Sequence, residues 1–362
     1  MENRLYNFSA GPAVLPETVL QESKAAILNY DNTGIGILEM SHRSASFKKI
    51  ALEAKDNLKK ILSIGDDFEV LFLHGGASLQ FHMLPLNIAC NQKTAYINTG
   101  VWSNKAIKEA ERLGSVLIVA SSEDLNFSYI PSLKSDQLDN DLAYLHFTSN
   151  NTIYGTQFQS EPDSNDILLA CDASSDFLSR RINMDRYGIV YAGAQKNLGP
   201  AGLGVVVIRK EWLSKSSDDL PPMLSYANHA KSESMFNTPP AFSLYVAGLV
   251  FKWILHSGGL VAMEKLNQEK SDVLYSVLDK SDFYTASVEK GSRSSMNVTF
   301  RLPAINLEDK FIAEALQSGF SGLKGHRLVG GIRASIYNAF PLQGIKDFVV
   351  FMQKFESDNL IS

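Results

Sequence analysis

Cysteine is nearly missing from this chain: two residues, Cys90 and Cys171, in 362. That excludes a disulfide framework, and with no CxxC spacing it excludes the usual zinc and redox motifs. The seven histidines, at 42, 74, 82, 146, 229, 256 and 326, form no HxH or HExxH pattern, so no metal site is expected. Neither charge dominates, since 34 Lys and Arg against 39 Asp and Glu leave a formal charge of −5. A nucleic-acid protein would carry a basic excess or stripe, so that class is disfavoured. The longest apolar stretches, Leu198 to Ile208 and Ala241 to Leu255, fall short of the ~20 residues needed to cross a bilayer. Met1 to Pro12 holds one Arg with no apolar run behind it, unlike a secretory signal. The expectation is a soluble cytoplasmic protein.

What is present is globular: 45% hydrophobic residues with 24 Gly and 12 Pro, at a length that suggests two domains. Pro16 opens a helix whose apolar face runs through Val19, Leu20, Ala26, Ile27 and Tyr30. A second helix passes through Ile50, Ala54, Leu58, Ile61 and Leu62. Short apolar runs follow at Val70–Leu73, Ala95–Ile97, Val116–Ala120, Leu142–Phe147, Ile167–Cys171, Ile189–Ala192 and Val205–Ile208, with a helix from Val101 to Leu113 among them. Seven such runs read as strands buried on both faces, hence a mostly parallel seven-stranded sheet flanked by helices, an α/β fold. After Leu255 the pattern changes to helix Val261–Leu278, strand Asn297–Arg301, helix Asn306–Leu316, strand Gly331–Ile336 and helix Leu342–Phe355. A smaller α/β domain is expected there. The reading is a large domain over 16–258 and a small domain made of 1–15 and 259–362.

In open α/β sheets the ligand lies beyond the carboxyl ends of the strands, which makes the polar residues after each run the candidates. His74-Gly75-Gly76-Ala77-Ser78 can aim backbone N–H groups at a phosphate from a helix N-terminus, or be a plain tight turn. Asp172 ends one strand, and Lys196, 24 positions on, follows another among small residues. Pyridoxal phosphate chemistry needs such a pair: an amine of lowered pKa to form a Schiff base, and a carboxylate to keep the pyridine nitrogen protonated. Asp172 could equally cap the turn 172–175, and Lys196 could be a solvated strand-end lysine. Trp102 could stack on a flat cofactor or be a core aromatic. Thr148 to Thr152 could bond a ring hydroxyl or form only a turn.

The blocks Asn7-Phe8-Ser9-Ala10-Gly11-Pro12-Ala13, Ser41-His42-Arg43, His74 to Ser78, Asn98-Thr99-Gly100 with Trp102, Thr148 to Gly155, Asp172 to Ser175, Tyr191 to Asn197, Asn237-Thr238-Pro239-Pro240 and Gly325 to Asn338 resemble, in order, the signature blocks of the phosphoserine aminotransferase family. They span nearly the whole chain. The resemblance implies a fold-type I pyridoxal phosphate enzyme, homodimeric with shared active sites. Its expected reaction moves the amino group between O-phospho-L-serine and 2-oxoglutarate, giving 3-phosphohydroxypyruvate and glutamate, in serine biosynthesis. Whether 4-phosphohydroxy-L-threonine of vitamin B6 synthesis is a second substrate is left open.

By the same resemblance Lys196 and Asp172 are the catalytic pair. Trp102 stacks on the cofactor, and Thr152 bonds its ring hydroxyl. Ala77, Ser78 and Gln195 hold its phosphate, joined by Asn237 and Thr238 of the other subunit. Arg333 clamps the α-carboxylate, and Ser9, His42, Arg43, His326 and Arg327 handle the rest of the substrate. One departure is Ala77-Ser78, where some members have Gly-Arg, leaving phosphate charge to backbone and hydroxyl donors. A cysteine desulfurase of the same fold needs a reactive thiol, and Cys90 and Cys171 both read as inert core cysteines. A nicotinamide dehydrogenase is disfavoured by the incomplete glycine fingerprint. An inactive scaffold is disfavoured by the intact Lys196 and Asp172.

Overall fold

The computed structural model describes residues 4–134, 138, 139 and 141–360. The chain starts with a short strand β1 (Tyr6–Asn7), then helices α1 (Glu17–Leu28) and α2 (Ala45–Leu62). Ser44 caps α2, its Oγ accepting from Phe47 N at 3.2 Å. The stripe Phe47, Ile50, Ala54, Leu58 and Ile61 is buried, as the helical spacing predicts. Next come β2 (Phe68–Leu73), α3 (Gly76–Ile88), β3 (Lys93–Asn98), α4 (Val101–Ala110) and β4 (Ser115–Ser121). They are followed by β5 (Leu145–Thr148), the hairpin β6 (Asn150–Asn151) and β7 (Thr156–Gln157), β8 (Leu169–Asp172), β9 (Tyr187–Gly193) and β10 (Gly204–Arg209). Short helices α5 (Lys210–Leu213) and α6 (Tyr226–Lys231) lead to α7 (Ala241–His256).

The central sheet has seven strands in the order β2-β10-β9-β8-β5-β3-β4. Only β10 runs against the others, so the expected α/β fold with a mostly parallel sheet is present. Six of the strands are the buried ones the apolar runs predict. The seventh corrects the reading: β4 is not buried on both faces, because it closes the sheet with β3 as its one neighbour, and Leu117 and Ile118 are 36% and 48% exposed. Two strands begin three and two residues later than their apolar runs, at Leu145 and Leu169, since Leu142 and Ile167 belong to the approaching loops. Cys171 is buried in β8, but Cys90 is exposed, two residues beyond the end of α3, and is not a core thiol.

The last third carries α8 (Gly259–Leu278), β11 (Thr285–Ala286), β12 (Asn297–Arg301), α9 (Ile305–Gln317), β13 (Phe320–Ser321), β14 (Ile332–Ser335) and α10 (Leu342–Leu360). Strands β11-β12-β14 form an antiparallel sheet, while β13 pairs in parallel with β1. A separate apolar core joins Phe8 to Phe300, Phe311, Phe320, Phe340 and Phe348. The first residues of the chain therefore pack with the last third. Among the described residues no single helix is long and apolar enough to cross a membrane.

Candidate active site

Register places the catalytic candidates on adjacent strand ends. In the sheet Thr148 of β5 faces Asp172 of β8, which in turn faces Tyr191 of β9. Lys196 follows three residues after β9 ends. Asp172 is 4% exposed, and its Oδ1 accepts from the backbone N–H of Ser174 at 3.0 Å and from its hydroxyl at 2.6 Å. The turn-capping role is thus real, alongside any chemical one. Burial raises the Asp172 carboxyl above its ordinary pKa, while the Lys196 charge and the Ser174 bonds pull it back.

Lys196 Nζ donates to Thr152 Oγ1 at 2.5 Å and lies 5.5 Å from the centroid of the Trp102 ring. Burial pulls this ammonium down to about 8, with the nearby Arg333 charge acting the same way and Asp172 opposing. Thr152 also accepts through its carbonyl from Arg333, at 3.2 Å. One threonine therefore links an activated amine to a guanidinium brought by β14 from the other core.

Beside this lies the first turn of α3. Gly75 and Gly76 adopt φ of 80° and 57°, the left-handed region that suits glycine. A Cβ on Gly193 would come within 2.8 Å of Gln195 Oε1 and 3.4 Å of the Ala77 N–H nitrogen, so β9 runs close against Gln195 and the first turn of α3. Ala77 and Gln195 are half-buried and Ser78 is exposed.

His326, Arg327 and Arg333 gather at one edge. Burial, then the charges of Arg333, Arg327 and Lys105, push His326 below its ordinary pKa. Lys105 itself rides above the Trp102 ring, 4.5 Å from the centroid. Its role escaped the sequence reading, although the Trp-x-x-Lys spacing on one helix face was available. Ser9 sits against Gly322 in the loop after β13, where a Cβ would meet its hydroxyl at 2.5 Å. His42 and Arg43 precede α2, and no interaction joins them to this edge among the described residues. Asn237 is half-buried and Thr238 exposed; the Thr238 carbonyl meets His74 Nε2 at 2.9 Å, but neither residue hydrogen-bonds Ala77, Ser78 or Gln195 among the described residues. A further group also escaped the sequence reading: His146 and Tyr191, bonded at 2.8 Å beneath the strand ends.

A half-buried amine of lowered pKa just after β9, a buried carboxylate at the end of neighbouring β8 and an indole in the first turn of α4 define a class of α/β enzyme that works on amino groups through an aldehyde cofactor. The chain belongs to the class-V aminotransferase family, whose model matches residues 5–348. Within it the chain is similar to the phosphoserine aminotransferase of Desulfatibacillum aliphaticivorans, 51% identical over 99% of this chain and 100% of the relative. That of Geobacillus kaustophilus is 49% identical over 97% and 98%. Among solved structures, phosphoserine aminotransferase from Bacillus circulans subsp. alkalophilus superposes with a TM-score of 0.95 at 45% identity, covering 98% of this chain and 99% of that one. The pyridoxal-phosphate-bound enzyme from Trichomonas vaginalis gives 0.91 at 37%, covering 97% and 100%.

Proposed function

We propose that this aminotransferase binds pyridoxal phosphate and transfers the amino group between O-phospho-L-serine and 2-oxoglutarate in serine biosynthesis. The observation that carries the reading is the double use of Thr152, whose hydroxyl accepts from Lys196 and whose carbonyl accepts from Arg333. It sets a reactive amine beside a carboxylate-binding fork, the pairing an α-amino acid requires.

The residues fit the cofactor. Trp102 Nε1 and Arg333 Nε are buried without a partner among the described residues, so two unused donors lie near Lys196, whose Nζ is 5.5 Å from the Trp102 ring centroid and shares Thr152 with Arg333. The first turn of α3, with Gln195, is where backbone N–H groups would hold the phosphate. Asp172 would hold the pyridine nitrogen and Thr152 the ring hydroxyl. When bound, the cofactor supplies an aldehyde that joins the amine and a ring that takes up electrons. Lys196 Nζ, its ammonium pulled down to about 8 by burial, would be the base that takes the proton from the substrate α-carbon and returns it to the cofactor carbon across the intervening nitrogen, a 1,3 shift. Arg333 grips the α-carboxylate. Asp172, low in solvent exposure, keeps its counter-charge unscreened.

The relatives' names support phosphoserine as the substrate, and the cationic edge at His326, Arg327 and Arg333 supports a second anion beyond the carboxylate. We also place the enzyme in the cytoplasm as a homodimer, in which Asn237 and Thr238 serve the neighbouring site, while His42 and Arg43 remain candidates for the substrate anion. The test is spectroscopic and chemical together. Protein loaded with pyridoxal phosphate should show a visible band that bleaches with glutamate and returns with 3-phosphohydroxypyruvate. A band that bleaches with glutamate but does not return would sink the substrate assignment.

A further inference from the structure

A phosphomonoester brings close to two negative charges at neutral pH, in addition to the carboxylate that Arg333 takes. Of the cationic groups expected to meet it, His42 and Arg43 precede α2, away from this edge, and His326 and Arg327 lie on it. His326 is pushed below its ordinary pKa by burial and by the Arg333, Arg327 and Lys105 charges, and its Nδ1 accepts from the Leu328 backbone N–H at 3.3 Å. Arg327 is the one remaining cation of the Gly325 to Arg333 block on that edge.

Lys105 adds a further cation to this edge. It projects from α4 one turn after Trp102, with Nζ 4.5 Å from that ring's centroid, and Lys196 Nζ is 5.5 Å from the same ring. Its charge reaches His326 together with those of Arg327 and Arg333. Three separate elements thus bring basic groups to one edge: α4, the loop before β14, and β14. None of Lys105, His326, Arg327 and Arg333 pairs with a carboxylate among the described residues, whereas other lysines, such as Lys55 and Lys59, do. An unbalanced cluster in a chain of net charge −5 is a place prepared for an anion. The aromatic face steadies the ammonium while leaving N–H donors free.

We propose that Lys105 is a specificity-determining residue that meets the phosphate end of the substrate and favours phosphorylated over dicarboxylate ligands. This rests on the phosphoserine reading above. The test uses the cofactor-loaded enzyme and an unreactive probe, 3-phospho-D-glycerate, which has a carboxylate and a phosphomonoester but no amine or ketone. Glutarate serves as the dicarboxylate control. Titration calorimetry on Lys105→Gln should show about 5-fold weaker binding of 3-phosphoglycerate and less than about 2-fold for glutarate, with a shallower salt dependence for the first. Lys105→Arg should restore the preference. The same selectivity should appear in kcat/KM for phosphoserine against glutamate. Equal losses for both ligands, or no loss for the phosphorylated one, would overturn the role of Lys105. If the wild type itself has no preference for the phosphorylated probe, the substrate reading fails instead.

Discussion

At the scale of single residues the proposed site rests on Lys196 and Arg333, which differ in what their loss should do. Lys196→Ala removes an amine whose neighbours are polar, so the fold should persist, with circular dichroism and melting near wild type, while turnover disappears. Borohydride treatment of the loaded wild type should attach the cofactor mass to the peptide containing Lys196 and to no other. Because burial lowers this amine to about 8, the rate at which apoprotein captures pyridoxal phosphate should rise with pH and level off above about 8; a rate flat from pH 6.5 to 9 would contradict the lowered value. Arg333→Lys keeps the charge but loses the planar fork. It should raise KM about 10- to 100-fold for glutamate and phosphoserine alike, since both share the α-carboxylate. A loss confined to phosphoserine would move Arg333 to the phosphate.

At the scale of elements, the strand carrying Arg333 is anchored by a lysine that sequence gives no reason to notice. Lys270 of α8 is fully buried, and its Nζ donates to the carbonyls of Ile336, Tyr337 and Phe340 at 2.9, 2.6 and 3.3 Å, in the segment linking β14 to α10. Asn338 in that segment receives a bond from Asn267 and donates its own N–H to Asn197, the neighbour of Lys196. Burial pulls Lys270 down to about 7, so between pH 7 and about 10.5 the unfolded chain holds a proton the folded one has lost. Stability contributed by this group therefore rises with pH through that window, by up to ~1.4 kcal/mol per unit. Denaturant melts at pH 7 and 9 should show a smaller gain for Lys270→Met than for wild type, together with a loss of about 2 kcal/mol at pH 7 from the stranded carbonyls. An identical pH gain in both would mean that Lys270 stays charged. The periodicities made six buried strands and the main helices legible. They missed β1, β13 and the hairpin β6–β7, pairs of two residues each, too short for any alternation to register. The exposure of β4 was equally hidden, because an edge strand and a central one can share the same apolar run.

At the scale of the whole molecule, the expected dimer makes a prediction that no single chain can satisfy. If Thr238 serves the neighbouring site, then Lys196→Ala and Thr238→Asp chains, each inactive alone, should regain part of the activity when subunits are exchanged. Absence of recovery in verified mixed dimers would confine the site to one chain. The blocks that pointed to Lys196, Asp172, Trp102 and Thr152 were readable as strand-end polar residues, and the fold does bring them together. The cationic edge was not readable as one unit, since Lys105 lies more than two hundred residues before Arg327 and only the third dimension joins them. The pairing of β1 with β13 joins positions over three hundred residues apart, and Tyr6 donates to Asp347 at 2.8 Å. On the ribosome β1 thus emerges long before β13, while the central sheet can close as soon as β10 has been made. Until α10 is released, Phe8 has no Phe340 or Phe348 to cover it. The segment around Tyr6 must wait through more than three hundred residues for its strand partner, and the second core can assemble only once α10 has been made.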